Sequence, residues 1–242
     1  MVILALFLLG LSFAPSANAQ QAKDPCEAQK RKLQDLESAL RDWPDLAKYR
    51  AANAELGAPA KGESRVVFLG DSITEAWDLS VYFPGKPYVN RGISGQTTPQ
   101  ILLRFRQDVI DLKPEIVVIL AGTNDVAENT GPIPLSSIED NLMSMVDLAR
   151  KNGVRPILAS ILPAAAYPWK SEIKPIDKIL ELNNWMKEYA AKQGVGFVDY
   201  YSAMVNDKQG LKSEWTSDGV HPNQAGYAVM APLVADAITK AK

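Results

Sequence analysis

Short runs of branched apolar residues recur along this chain, and helical patterns separate them. The runs lie at 65–69 (RVVFL), 88–90 (YVN), 115–121 (EIVVILA), 154–161 (VRPILASI) and 196–199 (GFVD). Helical periodicity fills 99–112, 134–152 and 175–193, and a last helix is expected at 222–240. Pro99, Pro134, Pro175 and Pro222 open these segments, where a first helical turn needs no N–H. Strands apolar on both faces must be covered on both, and an intervening helix returns the chain to the same edge. The pattern therefore predicts an α/β fold with a parallel sheet between helical layers. Pro156 is the one residue that counts against a strand assignment. In such sheets ligands bind beyond the carboxyl ends of the strands, so chemistry is sought in the loops that follow each run.

Composition narrows what that chemistry can be. The 242 residues include 26 basic and 28 acidic side chains, so a net charge of −2 offers no general basic field for nucleic acid. One Cys, Cys26, excludes an intrachain disulfide framework and a zinc site built on several thiolates. One His, His221, excludes any site that needs two imidazoles. At 47% hydrophobic and 22% charged, the chain can build a full core.

The first nineteen residues read differently from the rest. Residues 1–19 carry no charged side chain, and 2–14 form a nearly unbroken apolar run with no Lys or Arg ahead of it. The run is shorter than the roughly 20 residues of a membrane-spanning helix and ends at Ala17-Asn18-Ala19, a signal-peptidase pattern. An exported chain, periplasmic or secreted, is expected, cleaved after Ala19 and without an integral membrane span. Cys26 lies too far beyond the apolar core for a lipoprotein anchor. Residues 20–64 are expected to form a helical extension, interrupted at Pro44, and a linker (GAPAKGES).

Four loops carry candidate chemistry, and each also has a plain structural explanation. Gly70-Asp71-Ser72-Ile73-Thr74-Glu75 offers a serine at a strand-to-helix turn, although Ser72 with Glu75 three residues on is also a capping box. The elbow G-x-S-x-G is absent, because Thr74 stands at its second glycine. In 90–98 (NRGISGQTT), glycines suit a tight turn or a backbone N–H close to a ligand. Asn124 in GTND suits a turn or an amide donor over the sheet edge. Asp218 stands three residues before His221 in DGVHPN, where it can hold the ring in one tautomer. Taken together at one edge, they supply a nucleophile, an oriented base and oxyanion donors, the set required for acyl transfer.

These loops resemble the SGNH subgroup of the GDSL-type esterases and lipases, over about residues 65–240. FLGDSIT matches the first block with Ser72 as nucleophile, Gly95 in GISGQTT the second and Asn124 in GTND the third, while DGVHPN supplies Asp218 and His221. Ile73 stands in place of the Leu of the family's usual motif. The resemblance is nearest to bacterial lysophospholipase-like and platelet-activating-factor-acetylhydrolase-like esterases. It implies a three-layer flavodoxin-like fold over 65–242, with sheet order 2-1-3-4-5. It also implies a reaction without metal or cofactor, and small-molecule or glycan carboxylic esters as substrates.

The expected mechanism starts with His221 taking the Ser72 proton. The oxyanion is then held by the N–H groups of Ser72 and Gly95 and by the Asn124 amide. Tyr167 and Trp169, after the fourth strand, are candidate substrate contacts, or side chains that pack their own loop. With no long apolar lid segment, short acyl groups are favoured, as in acetyl esters or lysophospholipid-like substrates. Two alternatives remain open at this point: an acyltransferase with the same triad, and a non-catalytic glycan or flavin binder on a flavodoxin-like scaffold.

Overall fold

The computed structural model describes residues 25–242. The expected signal peptide therefore lies outside the described residues. Helix α1, Pro25–Arg41, belongs to a separate unit from the compact body, which spans Asp42–Lys242. The body opens with α2 (Arg50–Leu56), β1 (Val66–Gly70), α3 (Ser72–Glu75), α4 (Leu79–Tyr82) and β2 (Tyr88–Gly92). Next come α5 (Thr98–Leu103), α6 (Phe105–Asp108), β3 (Ile116–Leu120), α7 (Thr123–Val126) and α8 (Leu135–Lys151). It closes with β4 (Arg155–Ala159), α9 (Ile176–Gln193), β5 (Gly196–Val198), α10 (Tyr200–Met204) and α11 (Gln224–Ala241).

All five strands are parallel, in the order β2-β1-β3-β4-β5. The central strands β1 and β3 are buried along their whole length, which is why their sequences are continuous apolar runs with no alternation. Pro156 is accommodated within β4. Arg155 gives its N–H to Glu115 on the β3 side, so the missing N–H of Pro156 faces the β5 side, where pairing begins only at Ile157. The expected helix over 99–112 is broken instead into α5, α6 and a 3-10 turn, Ile110–Leu112. The first break falls at Arg104, a fully buried side chain. Its guanidinium donates to the carbonyls of Gly70 and Arg91 and to Gln96 Oε1, and it pairs with Asp108.

Register sets the site. Gly70 lies opposite Gly92 on one side and Leu120 on the other, so β1, β2 and β3 end on one line. A Cβ at Gly70 would stand 2.5 Å from the Leu120 carbonyl, and one at Gly92 would stand 2.1 Å from Glu75 N. Only glycine lets α3 lie this close to the strand ends. The segment expected as an extension and linker before residue 65 is in part built into the body. Tyr49 donates to the Gly92 carbonyl, Asn53 to Asp108 and the Gln107 carbonyl, and Gln96 to the Pro44 carbonyl. Residues after Arg41 thus clasp the ends of β2 and α6 and the loop before α5.

Candidate active site

Three of the four candidate loops leave the same sheet edge, with Ser72 two residues past β1, Gly95 three past β2 and Asn124 four past β3, and the fourth precedes α11. Ser72 is the first residue of α3 but does not cap it. The cap is Asp71, whose Oδ1 accepts the Ile73 N–H at 3.0 Å. The capping-box reading of Ser72 and Glu75 is therefore corrected. Glu75 instead accepts the Ser94 N–H at 2.8 Å and pairs with Lys48, bracing the loop that carries Gly95. With the cap supplied by its neighbour, the Ser72 hydroxyl is free to meet His221, and Oγ lies 2.9 Å from Nε2.

His221 is held from its other side. Its Nδ1 lies 2.7 Å from Asp218 Oδ2, and Asp218 Oδ1 accepts the backbone N–H groups of Val220 at 2.9 Å and His221 at 2.8 Å. Burial alone would raise the Asp218 carboxyl, but these hydrogen bonds outweigh it and hold the group down to about 2. A permanent carboxylate at this position favours the tautomer with Nδ1 protonated, which leaves Nε2 free to accept the serine proton.

Asn124 is buried, and its amide is fixed on both sides: Nδ2 donates to the Gln96 carbonyl at 3.0 Å and Oδ1 accepts from Asn129 Nδ2 at 2.7 Å. Gly95 has φ +77°, a conformation that favours glycine, and Ser94 is anchored just before it. Among the described residues neither the Ser72 nor the Gly95 N–H is given to a protein acceptor. Beneath the site, Thr98 donates its N–H and hydroxyl to Asp125, tying the second and third loops together. Burial raises Asp125 to about 6, against the hydrogen bonds from Thr98. Asp71 is fully buried, which raises its carboxyl to about 7, opposed in part by the Ile73 N–H and the nearby His221.

The two aromatic candidates separate. Tyr167 has no exposed surface and packs at 5.3 Å against Trp169, so it is corrected from substrate contact to a support beneath the loop. Trp169 is 43% exposed, and its ring centroid lies 6.0 Å from that of His221. One helical turn past Ser72 opens a cleft of about 440 Å³ lined by Ala76, Val81, Tyr82, Pro222 and Tyr227. Sequence reasoning missed Asp71, Glu75 with Lys48, and Asn129. Only Asp71 left a trace, as an Asp at a helix start.

Residues 68–229 match the GDSL-like Lipase/Acylhydrolase family. The chain belongs to that family. A solved GDSL-like lipase from Bacteroides thetaiotaomicron VPI-5482 is 46% identical with a TM-score of 0.80, covering 83% of this chain and 100% of that one. The uncharacterized lipoprotein YqeF of Bacillus subtilis is 36% identical over 126 residues, 44% of this chain and 52% of that protein. An acetylxylan esterase of Xylanibacter ruminicola is 26% identical over 245 residues, 85% of this chain and 47% of that protein. The chain thus spans about half the length of these two curated relatives. Among the described residues no helix is long and apolar enough to cross a membrane.

Proposed function

We propose that this protein is an exported serine esterase that hydrolyses short-chain carboxylic esters through an acyl-enzyme. The observation that carries the proposal is the unbroken line from Ser72 Oγ to His221 Nε2 at 2.9 Å and from His221 Nδ1 to Asp218 at 2.7 Å. His221 takes the Ser72 proton as Oγ attacks the ester carbonyl, and the N–H groups of Ser72, Gly95 and Asn124 receive the oxyanion. On collapse, His221 gives the proton to the leaving alcohol. Water then attacks the acyl-serine, losing its proton to His221, and the acid is released with Ser72 restored. Export rests on the apolar run and cleavage pattern at 1–19.

Acetyl esters of glycans are the substrates we favour within this class. The triad lies at an open rim, the exposed Trp169 ring stands beside His221 ready to stack on a sugar, and an acetylxylan esterase is among the relatives. Turnover of p-nitrophenyl acetate and of an acetylated xylo-oligosaccharide tests both levels. Ser72→Ala should abolish both activities. Retained turnover in that variant would sink the mechanism, whereas an enzyme active only on the aryl ester would sink the glycan assignment.

A further inference from the structure

Three hydrogen bonds run in series from the rim of the site to its floor. Trp169 Nε1 donates to Asn129 Oδ1 at 3.0 Å, Asn129 Nδ2 donates to Asn124 Oδ1 at 2.7 Å, and Asn124 Nδ2 donates to the Gln96 carbonyl at 3.0 Å. A carboxamide has nearly the same shape either way round but opposite chemistry on its two sides. Both ends of this series permit only one sense. An indole N–H can only donate, so Asn129 must turn its oxygen to Trp169 and its NH2 to Asn124. Asn124 must then accept with Oδ1 and turn its NH2 toward Gln96, whose carbonyl can only accept. One N–H of Asn124 is used there, and the other remains for the ester oxygen.

We propose that Asn129 is a positioning residue that fixes the Asn124 amide in its donating sense, with the Trp169 indole N–H setting the polarity of the series. The proposal rests on Asn124 being an oxyanion donor. The loop holding Trp169 is built to keep this register. Lys170 Nζ donates to the Glu128 carbonyl at 2.5 Å, Lys178 pairs with Glu128 at 3.0 Å, and the buried Tyr167 ring supports Trp169 from below. Trp169 therefore acts on the site in two ways: its ring flanks His221, and its N–H orients the oxyanion donor at two removes.

Asn129→Asp separates this role from simple packing. The carboxylate still accepts from Trp169, but it offers Asn124 an acceptor in place of a donor. Asn124 then turns its NH2 toward the new carboxylate and its oxygen toward the substrate. With p-nitrophenyl acetate, kcat should fall about 10- to 100-fold, short of the full loss of a donor, while KM stays within about twofold. Trp169→Phe keeps a smaller aromatic ring beside His221 and removes the indole N–H, and kcat should fall about fivefold. In an Asn124→Ala background, Asn129→Asp should cost nothing further, because the group it orients is gone.

Thermal melts of each variant accompany the kinetics. A structural role for Asn129 would lower the melting temperature and add its loss to that of Asn124→Ala. Such additivity, or wild-type kcat in Asn129→Asp, would overturn the proposal. If Asn124→Ala alone turned over at the wild-type rate, the oxyanion assignment itself would fall, and the relay's catalytic meaning with it.

Discussion

In the proposed mechanism His221 carries the acid–base chemistry alone, because the chain has one imidazole and no second can replace it. Its orientation depends on Asp218, which accepts from the ring and from two backbone N–H groups. Its carboxyl is held down to about 2, so Asp218 stays ionised at neutral pH. Asp218→Asn preserves the shape but removes the charge and favours the wrong tautomer. Its kcat for p-nitrophenyl acetate should fall by roughly 1,000- to 10,000-fold with little change in KM. A fall of less than tenfold would show that the carboxylate does not orient the base.

At the scale of elements, the site depends on how closely α3 lies against the ends of β1 and β2. Gly92→Ala would place a Cβ within 2.6 Å of the backbone of Thr74 and Glu75, so α3 must shift and carry Ser72 away from His221. The variant should lose on the order of 1–3 kcal/mol of stability, measured by denaturant unfolding, and most of its esterase activity. A stable, fully active Gly92→Ala would refute the claim that this approach sets the nucleophile.

The strands, the long helices and the residues Ser72, Gly95, Asn124, Asp218 and His221 were legible because periodicity and short motifs are local signals. What was not legible depends on side-chain contacts that no local pattern marks. Asn129 reaches Asn124 across a turn, Lys48 reaches Glu75, and Arg104 ties the ends of two strands to Gln96. Arg104 lay inside a plausible helical pattern, and nothing about its neighbours showed that its side chain would turn inward and break the helix. Tyr167 was ambiguous for the same reason, since burial by a neighbouring loop leaves no local mark.

For the whole molecule, three carboxyls in and beneath the site make stability depend on pH in two opposite directions. Asp71 and Asp125 have folded-state values raised to about 7 and about 6, above the roughly 3.9 of an unfolded Asp. Their contribution is fully present below about pH 4 and is lost as pH rises through those values. Asp218 has the opposite sign: its contribution is present above about pH 4 and is lost as pH falls toward 2. Asp71→Asn keeps an acceptor for the Ile73 N–H without a charge to bury. Its melting temperature should therefore decline less than the wild type's between pH 5 and 8. Parallel melting curves over that range would contradict the assignment of a costly ionisation at Asp71.

In the proposed reaction one serine, activated by the only histidine, does the chemistry. A fluorophosphonate modifies a serine only when a neighbouring base has made its hydroxyl nucleophilic. The direct measurement is mass spectrometry of peptides from the labelled protein. A single adduct on Ser72, absent from His221→Ala, is the predicted result. No adduct under conditions that label a known serine esterase, or an adduct on another residue, would contradict it.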